Sequence, residues 1–428
     1  MMTSLFEDLQ WRGLVQQCTH EDELRQRLDA GPLTLYCGFD PTAQSLHVGN
    51  LVPLIALARF QRAGHRALAL VGGATGLIGD PSGKSAERVL QSEDQVKERA
   101  DRIAAQLAQF IDTRDTARGA VVDNLEWTAG VSILTFLRDV GKHFSVGAML
   151  RRDSVQSRLE REGEGISFTE FTYMLLQAFD FHELARLRGC SLQIGGSDQW
   201  GNMISGADLI RRRLGQDAFA LTFPLLTTHD GAKFGKSEKG AVWLDPSMTS
   251  VWDFHQFWLN AADADVIRLL KMFTFVERAD IEALEVEVTA NPGARAAQRR
   301  LAAEMTTLVH GAEATAEVEA AAAVLFGRGS VESLSAGAVS RLAEALPCLD
   351  VTVADLAHLT AAGLVHKTGL EVSMTKANEV CRSGGVTVNG QRIADARQPV
   401  KDMPPMHGKW WLVKKGKKSF ALARTSAV

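Results

Sequence analysis

The stretch LTLYCGFDPTAQSLHVGN, residues 33–50, sets the architecture of the first half of the chain. Residues 33–39 are mostly apolar and end at Asp40-Pro41-Thr42, which predicts a buried strand followed by a turn. A helix is predicted from about Gly49 to Ala63, and residues 67–71 predict the next strand. Together these elements form a β-α-β unit, which is typical of a parallel sheet with right-handed crossovers.

A second strand-turn-helix unit is predicted further along, where residues 192–196 lead into a helix that begins near Asp198. The residues between the two units, from about 125 to 190, are predicted to be mainly helical and to form an insertion. After residue 248 strand patterns disappear until the last part of the chain, where Asn389-Gly390 predicts a hairpin turn.

These patterns predict an α/β fold with several domains. The first is a Rossmann-like catalytic domain with a parallel sheet, and the last is a small α+β module. The predicted boundaries are 1–223 for the catalytic domain, 224–248 for a loop linker, 249–326 for an α-helical domain, 327–351 for a second linker and 352–428 for the module.

Composition narrows the class of protein. The chain has 428 residues, of which 46% are hydrophobic, so it can form sizeable cores. The five cysteines form no Cys-x-x-Cys pair and no zinc spacing, which indicates reduced thiols in a cytoplasmic protein and no protein-held metal site. No apolar stretch is long enough to cross a membrane, and the start of the chain lacks a signal-peptide pattern.

Charge is distributed unevenly along the chain. Residues 364–428 contain twelve Lys and Arg and four Asp and Glu, a net charge of +8. Because the whole chain carries −4, residues 1–363 carry −12. An acidic body with a basic end predicts a polyanionic partner, such as RNA, for that end alone. A lysine-rich surface without a partner is the alternative.

Two short motifs 183 residues apart suggest phosphate chemistry: His47-Val-Gly-Asn50 and Lys233-Phe-Gly-Lys-Ser237. A helix that starts after His47 offers unpaired backbone N–H groups to a phosphate, and Gly49 permits close approach. Lys233 and Lys236 bracket a glycine, which suits cations that meet developing negative charge. Gly79–Ser85 resembles a P-loop, but it has three residues between its glycines where that motif has four.

In combination the two motifs resemble the HIGH and KMSKS signatures of class I aminoacyl-tRNA synthetases. The chain has two tyrosines, and both lie in segments similar to the amino-acid pocket of the bacterial-type tyrosyl-tRNA synthetase family. Tyr173, Gln177 and Asp180 are spaced four and three residues apart, so they share one face of a predicted helix. The segment QIGGSDQWGN, residues 193–202, also matches that family.

The resemblance implies a role for each matching residue. The residues implied to stabilise the phosphates during catalysis are His47, Asn50, Lys84, Arg88, Lys233 and Lys236. Those implied to bind tyrosine are Tyr36, Asp80, Tyr173, Gln177, Asp180, Gln193 and Gln199. Those implied to bind ATP are Gly38, Asp40, Thr42, His47, Gly49, Gly196, Asp198, Lys233, Lys236 and Ser237. Asn50 departs from the pattern, in which histidine is more frequent; a solvated loop is the alternative for Lys84 and Arg88.

The resemblance also implies a reaction and partners. The family activates L-tyrosine with ATP and Mg²⁺ and transfers the tyrosyl group to tRNA(Tyr). The region 249–326 is then expected to bind the anticodon, and residues from about 352 resemble the α-L RNA-binding module. A homodimer formed through the inserted helical region is expected, with Phe168 as a contact, and Arg211-Arg212-Arg213 is a candidate contact for the acceptor stem.

Three other interpretations remain at the level of sequence. Tryptophanyl-tRNA synthetases share the fold and both signatures, but the Tyr36 and Asp180 pair argues against them. Another adenylate-forming enzyme of the same fold has no use for a separate RNA-binding module. A degenerate synthetase that serves as an RNA-binding protein is disfavoured because Lys233, Lys236 and Asp198 are all present.

Overall fold

A computed structural model describes residues 4–82, 90–152, 155–156, 159–160, 165–231, 234–237, 240–416 and 418–425. The chain forms two compact units, each made of two segments. The first unit comprises Met1–Asp245 and Ala262–Ala297, and the second comprises Pro246–Ala261 and Gln298–Val428. The predicted boundary at residue 249 therefore lies close to a change of unit, but helices from 263 to 290 belong with the first unit.

The first unit is built on a six-stranded sheet with the order β1-β6-β5-β2-β3-β4. Five neighbouring strands run parallel and β1 pairs antiparallel with β6. This confirms the predicted Rossmann-like parallel sheet and adds an antiparallel edge strand. The strands are β1 Gln17–Cys18, β2 Thr34–Phe39, β3 Arg66–Val71, β4 Gly119–Asp123, β5 Cys190–Gly196 and β6 Phe219–Phe223.

Fourteen helices with both ends among the described residues lie between residues 5 and 310 of the chain. They are α1 Leu5–Trp11, α2 Glu21–Asp29, α3 Leu51–Arg62, α4 Thr75–Ile78, α5 Glu93–Phe110, α6 Leu125–Thr128, α7 Ile133–Asp139, α8 Val146–Leu150, α9 Phe168–Arg188, α10 Trp200–Leu214, α11 Val251–Leu259, α12 Asp263–Phe273, α13 Arg278–Ala290 and α14 Ala296–His310. Of these, α11 belongs to the second unit and α14 begins at the boundary between the units. A short pair, β7 Lys236–Ser237 and β8 Gly240–Ala241, lies in the first unit.

Helix α9 carries much of the site, and local sequence explains its limits. The hydroxyl of Ser167 accepts a hydrogen bond from the backbone N–H of Glu170, which caps the first turn. Gly189 takes a left-handed conformation at φ 65° and ends the helix. Arg186 and Arg188 in the last turn favour the negative end of the helix dipole. The helix therefore holds a fixed register from residue 168 to 188.

The second unit combines helices with a five-stranded sheet of order β11-β10-β12-β13-β9. Its strands are β9 Cys348–Val351, β10 Val386–Val388, β11 Gln391–Arg392, β12 Trp410–Lys415 and β13 Ser419–Thr425. Its remaining helices are α15 Ala312–Leu325, α16 Ala336–Ala345, α17 Val353–Leu356, α18 Ala361–Lys367 and α19 Met374–Arg382. Asn389 and Gly390, at φ 50° and 84°, make the turn between β10 and β11.

The sheet of the second unit has a core on each face. On one face Trp411 and Val413 pack with α18 and α19, in a core that also includes Val351 of β9. On the other face Leu412 and Phe420 pack with residues of α15 and α16. The module therefore shares a core with the preceding helices, which sequence had placed in a separate domain and a linker. No helix among the described residues is long and apolar enough to cross a membrane.

Candidate active site

A cavity of about 350 Å³ opens at the carboxyl ends of the parallel strands of the first unit. Strand β2 lies between β3 and β5, and the helices after β2 and β5 lead away in opposite directions along the sheet. Such a switch point creates a crevice beyond the strand ends, where open α/β sheets bind their ligands.

Most of the residues predicted for the site line this single cavity. The predicted residues in its wall are Tyr36, Gly38, Asp40, Thr42, His47, Asn50, Asp80, Tyr173, Gln177, Asp180, Gln193, Gly196, Asp198 and Gln199. Lys84, Arg88 and Lys233 lie outside the described residues, and for Lys236 and Ser237 the description is limited to the backbone. The structure thus brings together residues from four separate parts of the sequence.

One end of the cavity contains buried polar atoms without a protein partner. Among the described residues, the hydroxyl of Tyr36 and Oε1 of Gln193 are fully enclosed and make no hydrogen bond. Both side chains line the cavity. Burial raises the pKa of Tyr36 well above its usual value, with the nearby charge of Asp180 as the next cause, so the hydroxyl stays protonated. Because unpaired buried polar atoms are costly, these two favour a polar ligand group at this end.

Asp180 lies beside Tyr36 and is held by two donors. Nδ2 of Asn124 donates to its Oδ2 over 2.9 Å, and Nε1 of Trp127 donates to its Oδ1 over 2.8 Å. Burial raises the pKa of Asp180 to about 7, while the hydrogen bonds from Asn124 and Trp127 lower it in part. The carboxyl group is thus placed to exchange a proton near neutral pH.

A chain of hydrogen bonds joins Asp180 to the other side of the cavity. Nδ2 of Asn124 also donates to Oγ1 of Thr75 over 3.0 Å, and that hydroxyl donates to Oδ1 of Asp40 over 2.7 Å. The hydroxyl of Tyr173 donates to Oδ2 of Asp40 over 2.7 Å. Asp40 follows directly after β2, so this chain fixes the strand end against helix α9.

Asp80 is a further carboxylate in the cavity wall. Oδ2 of Asp80 accepts from Nε2 of Gln199 over 2.8 Å, and its Oδ1 accepts from the backbone N–H of Ser82 over 2.9 Å. Nδ2 of Asn202 donates to Oε1 of both Gln177 and Gln199, over 3.0 and 3.2 Å. Burial raises the pKa of Asp80 to about 6, against the hydrogen bonds from Ser82. Asp80, Gln177, Gln199 and Asn202 thus form a hydrogen-bonded polar group, and the first three line the cavity.

The His47 segment forms a tight capped turn before helix α3. Nδ1 of His47 accepts from the backbone N–H of Gly49 over 3.0 Å, so the proton of a neutral ring lies on Nε2. Oδ1 of Asn50 accepts from the backbone N–H of His47 over 3.0 Å. A β-carbon on Gly49 would lie 2.8 Å from Cε1 of His47, so this position requires glycine to accommodate the imidazole itself. The amide nitrogen of Asn50 remains as a donor in the cavity wall.

Backbone hydrogen bonds connect the two signature segments, although they are far apart in sequence. The N–H of Val48 donates to the carbonyl of Val242 over 2.9 Å, and the N–H of Val242 donates to the carbonyl of Gly235 over 3.1 Å. A β-carbon on Gly235, which has φ 88°, would lie 3.3 Å from the nitrogen of Gly49. Gly235 is therefore suited both to its left-handed conformation and to this close approach.

The side chains that could bind a metal ion are those of His, Cys, Asp and Glu. In the described part of the chain, no group of three or more His, Cys, Asp or Glu side chains is placed to hold a metal ion. Mg²⁺ usually keeps several waters and binds through substrate phosphates and one or two carboxylates. Binding of that kind needs only one or two protein ligands.

Sequence reasoning missed the residues that orient the predicted side chains. Thr75, Asn124, Trp127 and Asn202 make the hydrogen bonds described above, and only Asn202 lies in a segment that the sequence had singled out, residues 193–202, where it was given no role. One signal was available, since Asn124 directly follows strand β4 and so lies at the same sheet edge as the site. The pairing of Trp127 with Asp180 requires the fold, because 53 residues separate them.

Comparisons with known proteins match both parts of the chain. Residues 28–327 match the family model of class I tRNA synthetases for W and Y. Residues 339–423 match the model of the SYY-like C-terminal domain of tyrosine–tRNA ligase.

Individual relatives match over nearly the full length. The tyrosine–tRNA ligase of Opitutus terrae is 50% identical over 428 residues, which cover 98% of this chain and 99% of that one. The tyrosine–tRNA ligase of Nocardia farcinica is 51% identical, with 98% of each chain covered. The crystal structure of a C-terminally truncated mitochondrial tyrosyl-tRNA synthetase of Aspergillus nidulans superimposes with a TM-score of 0.69 at 33% identity, covering 76% of this chain and 94% of that one.

Proposed function

Because the chain belongs to the tyrosine–tRNA ligase family of class I aminoacyl-tRNA synthetases, we propose that its cavity activates L-tyrosine with ATP and that the protein transfers the tyrosyl group to tRNA(Tyr). The observation that supports this most strongly is the cavity wall at Tyr36 and Gln193, where two buried polar atoms have no hydrogen-bond partner among the described residues. The oxygen of a phenol can accept from the hydroxyl of Tyr36, whereas the ring of phenylalanine cannot, and Oε1 of Gln193 is left for another polar group of the substrate.

The carboxylates of Asp180 and Asp80 are proposed to bind the two ends of the tyrosine substrate. The phenol of the substrate donates to Asp180 and accepts from Tyr36. These two hydrogen bonds recognise both the presence and the position of the hydroxyl group. The ammonium group is bound by Asp80, Tyr173 and Gln177, which line the next part of the cavity. A phenylalanine substrate would leave buried polar groups unpaired, and a site of this kind discriminates strongly without editing, as tyrosyl-tRNA synthetases do.

Activation needs no general base, because the carboxylate of tyrosine is already ionised at neutral pH. It attacks the α-phosphorus of ATP and displaces pyrophosphate, so catalysis consists of positioning and stabilisation of charge. Nε2–H of His47 and the amide of Asn50 are the proposed donors to the phosphates from one side. Lys84, Arg88, Lys233 and Lys236 are the proposed cations on the pyrophosphate side. Gly196 and Asp198 are the proposed contacts to the ribose.

The remaining residues complete the two substrate subsites. Gly38, Thr42 and Gly49 are proposed to lie against the nucleotide, as are the backbone of Ser237 and the Asp40 carboxylate. Gln193 and Gln199 are proposed to orient the amino acid. Mg²⁺ is proposed to enter with ATP and to neutralise phosphate charge, and no step of the mechanism is assigned to a metal held by the protein.

The second unit is proposed to bind tRNA. The helices from 249 to 326 are proposed to contact the anticodon, although those from 263 to 290 belong to the first unit. The module from 352 carries the basic residues of the chain's end. Lys376 and Lys418 are exposed there, at the first turn of α19 and next to the β12–β13 hairpin tip. Arg211-Arg212-Arg213 at the end of α10 is proposed to contact the acceptor stem. Contacts of this kind make the affinity for RNA fall with salt.

A homodimer is proposed through the inserted helical region. Ile133, Leu134 and Phe168 are 73%, 76% and 76% exposed, and all three large apolar side chains belong to the region predicted as an insertion. A symmetric contact between two copies would remove this surface from water. The five free cysteines support a reducing compartment, and a cytoplasmic location is proposed.

The proposed activity is tested by amino-acid-dependent ATP–pyrophosphate exchange with tyrosine, phenylalanine and tryptophan. Exchange with tyrosine alone is expected. Exchange with tryptophan alone would overturn the substrate, and exchange with none would overturn activation and revive a purely RNA-binding role. Charging of tRNA(Tyr) with labelled tyrosine tests the second step, and its absence beside normal exchange would point to another adenylate-forming reaction.

A further inference from the structure

The buried carboxylate of Asp265 lies outside the cavity. It accepts hydrogen bonds from the chain just before the second signature, residues 233–237. Asp265, in the first turn of α12, has a side chain that is 8% exposed. Its Oδ2 accepts from the backbone N–H of His229 over 3.2 Å and from Nδ1 of the same residue over 3.0 Å. Its Oδ1 accepts from Nη2 of Arg268 over 2.8 Å. Nδ1 of His229 therefore carries a hydrogen, since it faces a carboxylate oxygen.

Arg268 adds a further connection to the same stretch of chain. Its Nη2 donates to the backbone carbonyl of Thr227 over 2.6 Å. Thr227, His229, Asp265 and Arg268 thus form one hydrogen-bonded cluster, here called the Asp265 clasp. Burial opposes ionisation of Asp265, but its hydrogen bonds with His229 and the charge of Arg268 lower its pKa below the usual value. The carboxylate is ionised at neutral pH, so the clasp bonds are charge-assisted.

The chain that leaves the clasp runs directly to the second signature. The N–H of Gly231, at φ 86°, donates to the carbonyl of Thr228 over 2.9 Å, which reverses the chain. Phe234 then packs on Phe273 of α12 with ring centroids 5.5 Å apart. Gly235 follows at once and approaches the nitrogen of Gly49. Helix α12 therefore contacts the stretch on both sides of the turn.

From this geometry we propose that the Asp265 clasp positions the chain at residues 234–237 for ATP, and that the imidazole of His229 is a positioning residue for adenylate formation. The inference rests on the proposed function, in which Lys233 and Lys236 meet the pyrophosphate. His229 touches neither substrate, since it is absent from the cavity wall. It acts through the backbone, because its bond to Asp265 holds the chain at residue 229, five places before Phe234.

Loss of the His229 imidazole should impair the reaction with ATP and leave tyrosine binding unchanged. Loss of the imidazole removes one bond of the clasp and leaves the Arg268 bonds and the Phe234 packing in place. One partly exposed hydrogen bond to a charged group contributes about 1 kcal/mol, which corresponds to a loss of about three- to tenfold in kcat. The tyrosine subsite does not include the clasp, so affinity for tyrosine should not change.

The test compares His229→Ala with His229→Asn in ATP–pyrophosphate exchange. The side-chain nitrogen of asparagine stands as many bonds from the backbone as Nδ1 of histidine, so His229→Asn restores the donor. His229 is half exposed, so neither change should prevent folding. We expect His229→Ala to lower kcat about three- to tenfold with an unchanged Kd for tyrosine, and His229→Asn to stay within about twofold of the unaltered chain.

Glu282→Ala is the matched control, because it removes an exposed ion pair with Arg278 on the next helix and has no part in the clasp. It should leave all constants unchanged. The inference is overturned if His229→Ala has normal kcat, if His229→Asn is as impaired as His229→Ala, or if the loss appears as weaker tyrosine binding. Failure of the unaltered chain to exchange with tyrosine would be a different result, since it would overturn the proposed function on which the clasp depends.

Discussion

The indole of Trp127 donates from Nε1 to Oδ1 of Asp180 over 2.8 Å, in the floor of the candidate active site. The bond stabilises the ionised form of a carboxyl group whose burial favours the neutral form. These opposing effects, together with the bond from Asn124, place the pKa of Asp180 at about 7. The substrate site is thus sensitive to pH over the range in which the protein would work.

Tyrosine affinity should depend on this indole donor. Trp127→Phe keeps most of the packing but removes the bond, so the pKa of Asp180 should rise above about 7. Tyrosine binding requires ionised Asp180 as acceptor of the phenol, so its Kd at pH 7 should increase several-fold and recover at higher pH. Calorimetric titration from pH 6 to pH 8.5 measures this. Trp252→Phe in the second unit is the control, and equal pH profiles for the two variants would contradict the role of Trp127.

Stabilisation by tyrosine should also vary with pH. The pKa values of Asp80 and Asp180 in the folded protein, about 6 and about 7, lie above the usual aspartate pKa of 3.8 because both groups are buried. Between pH 4 and pH 7 the folded state therefore holds protons that the unfolded state has lost, so the contribution of these groups to stability decreases as pH rises. Bound tyrosine pairs with both carboxylates and offsets this loss. The rise in melting temperature with saturating tyrosine should be larger at pH 8 than at pH 5.5, and the opposite order would exclude the proposed pairing.

Tyr36→Phe should separate stability from function. The hydroxyl of Tyr36 is buried without a partner in the described residues, so its removal should increase the free energy of unfolding by about 1 kcal/mol. The same change removes a group that reads the substrate phenol, so KM for tyrosine should rise and discrimination against phenylalanine should fall by about tenfold. Urea unfolding and pyrophosphate exchange measure the two effects. A destabilised variant with normal selectivity would show that the hydroxyl has a structural partner instead.

The amide of Asn50 can be tested for its two separate groups. Asn50→Asp keeps an oxygen to accept from the N–H of His47, but it loses the amide donor and adds negative charge near the proposed phosphate position. We expect kcat for pyrophosphate exchange to fall by at least about tenfold, or about 1.4 kcal/mol, while the melting temperature changes little. Asn50→Ala removes both groups and should also reduce stability. Normal turnover by Asn50→Asp would exclude a catalytic role for the donor.

The basic module should affect tRNA and not adenylate formation. Lys376→Gln removes an exposed charge from the first turn of α19, so tRNA binding should weaken and its dependence on salt should become shallower by about one unit. Pyrophosphate exchange should be unchanged. Lys97→Gln makes the same change on α5 of the acidic first unit and serves as control. If both variants bind tRNA as the unaltered chain does, the proposed RNA surface lies elsewhere. Point changes are preferred to deletion of residues 352–428, since Leu412 and Phe420 share a core with α15 and α16.

Much of the architecture could be predicted because its determinants are local. The apolar run of residues 34–39, the turn at Asp40 and the Asn389-Gly390 hairpin each depend on side chains close in sequence. The parallel sheet follows from the β-α-β pattern and is confirmed. Family membership, drawn from the two signatures and the Tyr36 and Asp180 segments, is confirmed as well. Roles of individual side chains stay predictions.

Contacts between residues that are distant in sequence were decided only by the tertiary structure. The sequence by itself determined which side chains could serve the chemistry: the carboxylates, the two tyrosines and the lysines of the second signature. It did not determine that Trp127 and Asn124 hold Asp180, or that Asp265 holds His229, because such bonds depend on where separate strands and helices end in space. The unpaired hydroxyl of Tyr36 is of the same kind. Whether a polar group finds a hydrogen-bond partner depends on its surroundings in the fold. The hydrophobic periodicity of the sequence therefore does not predict it.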